Sequence, residues 1–203
     1  MKMLYTAPFR VGRSAELRRR ALVMLGHDVV GLDQVPYLDR GPYLFRKVQL
    51  HLLIGPGISA YNRDILARAT ETNPEMIYVN VGSYLWPKTV ERLRRTGAYL
   101  VHHATDYFGY QRYWYRLFFR AIPLYDIHVI TNALNKRILE QSGAKKIVMT
   151  KFAYDPVLHR PPQLTPLEKS RYRSDAVFIG HWEPTTERMV LALREAGINV
   201  KLW

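Results

Sequence analysis

The chain has 203 residues, a formal charge of +13 at neutral pH, and no cysteine. That length allows one full α/β domain and a remnant, at about 100–200 residues per domain, and an apolar share of 48% allows a real core and argues against general disorder. The lack of cysteine excludes disulfides and thiolate metal sites and fits a reducing cytoplasm, where the protein is expected.

The positive charge predicts attraction to an anion: nucleic acid, acidic lipid or a phosphorylated small molecule. The apolar stretch before Arg10 is too short for a secretory signal. The longest apolar region, Tyr43 to Tyr61, is interrupted by Arg46, Lys47, Gln49 and His51, whereas a membrane span needs about 20 mostly apolar residues. The expectation is a cytoplasmic protein that at most rests on a membrane surface.

Short apolar runs alternate with helical patterns. Lys2–Thr6 reads as a strand, and Ser14 is placed to cap a helix with Leu17, Ala21 and Leu25 on one face, stopped by Gly26. His27–Leu32 is a second strand. A helical or irregular stretch from Pro36 to Thr72 breaks at Gly55-Pro56-Gly57, and Glu75–Asn80 is a third strand. Pro87 opens a helix that buries Val90 and Leu93 and ends at Gly97.

Ala98–His102 follows as a strand, then an aromatic-rich helix over Tyr110–Ile122. Ile127–Thr131 is a strand, Leu134, Ile138 and Leu139 mark a helix ended near Gly143, and Lys146–Thr150 is a strand. Strands separated by helices at this spacing predict a Rossmann-like, doubly wound parallel sheet. Phe152 to Arg173 holds four prolines and little periodicity, which is linker composition. Asp175–Trp203 then reads as strand, helix, strand, the βαβ unit that opens a second sheet. The expected division is a Rossmann-like domain over 1–160, a linker over 161–173, and the start of a second Rossmann-like domain over 174–203.

Two segments, Tyr125–Pro161 (YDIHVITNALNKRILEQSGAKKIVMTKFAYDPVLHRP) and Asp175–Trp203 (DAVFIGHWEPTTERMVLALREAGINVKLW), resemble the hinge region of two-domain (GT-B) glycosyltransferases, especially those related to spore-maturation glycosyltransferases. There the first domain ends on a strand and a stretch like AYDP…H, and the second opens on a strand ending in FIG. The resemblance implies transfer of a sugar from a nucleotide-sugar co-substrate to an unidentified acceptor, without metal or other cofactor. It also implies that the second, donor-binding domain has barely begun in this chain, which would be weakly active or inactive alone and prone to pair with a second copy through the unfinished domain.

The resemblance places donor contacts at Gly180 and His181, after the FIG strand, at Arg188, and at Gly12 and Arg13 before the first helix. A glycine lets a pyrophosphate approach its backbone near a helix N-terminus; the plain alternative is a tight turn at Gly180 and a capped turn at Gly12 and Arg13. For the acid–base group that inverting transfer needs, Asp106 is the first candidate and His103 the second, both where a strand gives way to a loop. If His102 and His103 both lie in the strand they point to opposite faces, and one of them packs.

Asn80 and Ser83 are candidates for holding the acceptor, and Asn132 for capping the following helix. Gln111–Tyr125 interleaves Arg112, Arg116 and Arg120 with aromatics; core packing is its plainest reading, and contact with an anionic membrane is the functional one. The seven histidines show no metal-site spacing. Two rivals stand beside transfer: a non-catalytic basic module binding RNA or an anionic membrane, and a subunit that keeps the fold without the activity. The lack of any nucleic-acid motif counts against RNA.

Overall fold

A computed structural model describes residues 1–10, 13–108 and 116–203. The chain forms two compact units, Met1–Tyr154 and Asp155–Trp203.

The first unit is a six-stranded, all-parallel sheet: β1 (Lys2–Ala7), β2 (Asp28–Asp33), β3 (Met76–Asn80), β4 (Tyr99–Ala104), β5 (Ile127–Ile130) and β6 (Ile147–Met149), in the order β2-β1-β3-β4-β5-β6. Its central strands are buried on both faces and so read as continuous apolar runs rather than alternating ones. The doubly wound expectation therefore holds. The helices are α1 (Ser14–Met24), α2 (Val35–Leu38), α3 (Tyr43–Leu52), α4 (Pro56–Thr72), α5 (Pro87–Arg94), α6 (Arg116–Ala121) and α7 (Leu134–Gln141).

The larger core cluster joins one sheet face, through Leu4, Ile77, Val79, Leu100 and Ile130, to Ile65 of α4, Leu93 of α5, Phe118 of α6 and Leu139 of α7. Each such side chain contributes about 1.5–3 kcal/mol when fully buried. The opposite face carries a smaller cluster, Tyr5, Ala7 and Ala15, with Phe9, Leu22, Val29 and Tyr78 against it.

The second unit contains α8 (Pro166–Tyr172), β7 (Ala176–Phe178), α9 (Pro184–Glu195) and β8 (Val200–Leu202). Strands β7 and β8 pair in parallel as a sheet of their own. Among the described residues, no helix is long and apolar enough to cross a membrane.

Local expectations fail at three points. Ser14 is the first residue of α1, behind an N-cap at Arg13 that makes no side-chain capping bond. The inward stripe of that helix is Ala15, Arg18 and Leu22, while Leu25 lies past its end and is exposed. The proline-rich stretch is not all linker: Thr165 accepts from the Glu168 N–H, and Glu168 accepts from the Thr165 N–H, a reciprocal cap that starts α8. Of the helix expected over Tyr110–Ile122, residues 116–121 form α6 and Ile122 opens the single 3-10 turn that follows, while 110–115 lie outside the described residues.

Gly57, in the first turn of α4, is buried where a Cβ would overlap the Tyr37 carbonyl oxygen and lie 2.8 Å from the Gln49 amide nitrogen. Backbone cannot yield as a flexible side chain would. Gly57→Ala is expected to destabilise the first unit by about 1–3 kcal/mol, read as a lower urea midpoint with an unchanged slope.

Candidate functional site

In this strand order the chain leaves β1 for β2 on one side, then crosses back past β1 to reach β3. The reversal opens a crevice outside the carboxyl ends of β1 and β3, the place where doubly wound sheets take ligands. Two layers of polar side chains, one on each face of the sheet, meet there.

On the α1 face, Arg18 donates through Nη1 to the Tyr5 hydroxyl at 3.2 Å and to Asn80 Oδ1 at 3.1 Å. Asn80 ends β3 and is the register partner of His103 on β4. Tyr78 meets both the Tyr5 ring and the His103 ring edge-on. Arg19, one residue on, holds Glu16 through two nitrogens. Arg18 has no carboxylate within ion-pair distance among the described residues, and its Nε and Nη2 have no acceptor there. A half-buried guanidinium facing only neutral oxygens is a standing place for a carboxylate or phosphate.

His103 is buried, and neither ring nitrogen has a hydrogen-bond partner among the described residues. Burial, assisted by the Arg18 charge, pulls its pKa down to about 4. It is therefore a neutral ring at pH 7 and a weak base. An anion seated on Arg18 would offset the guanidinium and raise its basicity.

On the other face, His102 and His128 are paired in register and completely buried. Their Nδ1 atoms lie 3.0 Å apart, while His102 Nε2 faces the Val81 carbonyl at 3.2 Å and His128 Nε2 faces the Ile122 carbonyl at 3.0 Å. Burial and the mutual proximity of the rings push the His102 pKa well down, and burial lowers that of His128. Two neutral imidazoles own two N–H protons, yet three contacts each call for one.

Val81 and Gly82, just past β3, both have positive φ, 74° and 70°. For a β-branched residue this costs about 1–3 kcal/mol. The turn is held by the Val81 N–H donating to the His103 carbonyl at 2.9 Å and by His102 at the Val81 carbonyl. Beyond it, Asn62 donates to the Tyr84 carbonyl and accepts from the Trp86 N–H, and the Trp86 indole donates to the Leu53 carbonyl. Deeper at the same edge, Thr6 and Tyr61 share a 2.8 Å hydrogen bond, and Gln34 donates to the Tyr61 hydroxyl and to the Asn80 carbonyl. That network ties the ends of β1, β2 and β3 together.

Of the residues singled out in sequence, Asn80 and His103 are brought together. Ser83 is buried in the turn after β3. Asp106 is exposed on the loop after β4, which buried Asn135 pins by donating to the Asp106 carbonyl and accepting from the Phe108 N–H. The Asp106 carboxylate makes no hydrogen bond with His103. Asn132 accepts from the Leu134 N–H, but the N-cap of α7 is Ala133 and makes no side-chain capping bond, so the capping expected of Asn132 is not formed.

Arg13 is exposed at the start of α1, and Gly12 lies outside the described residues. Gly180, His181 and Arg188 are exposed in the second unit, where a Cβ on Gly180 would come within 3.0 Å of the Phe178 ring. Both strand histidines pack, on opposite faces. Arg18, Tyr5, Tyr78 and His128 were not anticipated; an arginine three residues after one inward position and four before the next was the available signal for the first.

Unfolded histidines take up a proton near pH 6.5, but folded His103 does so only near 4. Between those values the unfolded chain binds more protons. Stability from this ring is thus complete above about pH 6.5 and falls as pH drops towards 4, by on the order of 3 kcal/mol. Urea midpoints measured across this range are expected to fall with pH, and less steeply in His103→Phe. Arg18→Gln is expected to raise the His103 pKa, read from its ring-proton chemical shift.

Compared with known proteins, the chain matches no family model and no curated protein.

Proposed function

We propose that the chain serves glycosyl transfer from a nucleotide sugar, with the first unit holding the acceptor. The observation that carries this reading is the Arg18, Asn80 and His103 cluster at the sheet reversal: a cation with no counter-ion among the described residues, an amide and a neutral buried imidazole, beside the loop that displays Asp106. Further support comes from the second unit, where a separate parallel pair places Gly180 and His181 between a strand and the start of a twelve-residue helix. That arrangement suits contact with a diphosphate.

In this reading Asn80 and Ser83 orient the acceptor hydroxyl, Asp106 takes its proton, and His103 assists once an anion neutralises Arg18. The departing nucleoside diphosphate is stabilised in the second unit by Arg188, His181 and the backbone at Gly180. Fixed donors aimed at developing charge would supply the main catalytic effect.

Incubation with uridine and guanosine diphosphate sugars is expected to release nucleoside diphosphate, and Asp106→Asn to slow that release by about a hundredfold. No release, together with no calorimetric binding of any sugar nucleotide, would remove the reading. Salt-sensitive RNA binding that uridine diphosphate leaves untouched would instead favour the basic binding module.

A further inference from the structure

Helix α3 is built inside out. Its one buried side chain is a glutamine: Gln49 is 3% exposed and accepts from the Gly57 N–H at 2.8 Å. Half-buried Arg46, on the adjoining side, reaches Asp39. The large apolar side chains point to solvent, with Tyr43 and Leu44 each 70% exposed and Phe45, Val48 and Leu52 also open. Ile54 extends the patch past the helix end. A ten-residue helix in a water-soluble fold normally buries this set, and an apolar patch of this kind on a surface marks an interaction site.

The charges around it select the occupant. From Arg40 through Arg63 the sequence has no aspartate or glutamate, and it carries Arg40, Arg46, Lys47 and Arg63. Arg40 and Lys47 are exposed, Lys47 between Leu44 and Val48. The flanking carboxylates are engaged within the chain, Asp39 by Arg10 and Arg46 and Asp64 by Arg63 and the Tyr37 hydroxyl. Apolar residues beside unopposed cations on a short surface helix match an anionic bilayer, with the apolar side in the acyl boundary and the cations among the headgroups. A protein partner would need a surface both greasy and acidic.

We infer that α3 docks the first unit on an anionic membrane, through Leu44, Val48, Leu52 and Phe45 with Arg40 and Lys47 at the headgroups. The helix lies between the exit of β2 and the start of α4, at the carboxyl edge of the sheet, and the Trp86 indole ties its end at Leu53 to the segment after β3. Docking therefore brings the lipid surface to the edge that carries Asn80 and Arg18. Resting on the glycosyl-transfer reading, the acceptor is then lipid-borne.

Because the chain has no cysteine, Leu44→Cys can carry a single environment-sensitive fluorophore, with Leu167→Cys on exposed α8 as the control. Vesicles of equal parts phosphatidylcholine and phosphatidylglycerol are expected to brighten the label at 44 and not at 167, while phosphatidylcholine alone brightens neither. Co-sedimentation of unlabelled protein with the mixed vesicles is expected to drop about fivefold for each of Arg40→Glu and Lys47→Glu, and further for Leu44→Glu with Val48→Glu. All four positions are exposed, so unchanged circular dichroism and melting certify the fold. Vesicle binding that leaves the label at 44 in water would overturn the inference, as would no binding. Brightening without vesicles that grows with protein concentration would overturn it in favour of a second copy. None of these readouts depends on sugar transfer, so this inference and the catalytic one fail separately.

Discussion

The turn after β3 is held by two adjacent histidines of β4, one through its main chain in the plane of the sheet and the other through its ring on one face. The backbone of His103 accepts the Val81 N–H, and the ring of His102 meets the Val81 carbonyl. Without those contacts a valine at φ 74° would relax. The burial of Ser83 follows from a chain that turns sharply at that point. One strand register thus decides both the core packing of His102 and the chemistry available around His103.

Electrostatics give the site its character. Thirty basic residues against seventeen acidic ones leave many cations on this surface without partners, and most of them are solvated and of little consequence. Arg18 differs because it is part-buried and bonded to neutral oxygens, so its field acts through protein rather than through water. Burial, with the same field assisting, keeps His103 unprotonated. A charged ligand would therefore change two residues at once, neutralising the first and making the second more basic.

Much of the fold was legible because a parallel sheet buried on both sides writes itself as short apolar runs, and the helices between them carry proline at the start or glycine at the end. α8 was missed for a different reason. Its pattern, Thr165 followed by Pro166 and Glu168, is a helix-start signal, but the prolines around it read as linker. The inward face of α1 was misassigned because a hydrophobic stripe was sought and one of its three inward positions is an arginine. At the site, Asn80 and His103 stood out as polar residues at strand ends. The pairing of His102 with His128 joins residues 26 apart and depends on register, which periodicity does not encode.

The segment from Val81 to Trp86 is anchored at both ends, by the β4 histidines at one and by Asn62 and the Leu53 carbonyl at the other. It has almost no slack. A molecule settling against it would find a surface already cast, and the usual entropic toll of stiffening a loop around a guest would be small. Selectivity at that edge would then come from shape and charge fixed beforehand rather than from adaptation.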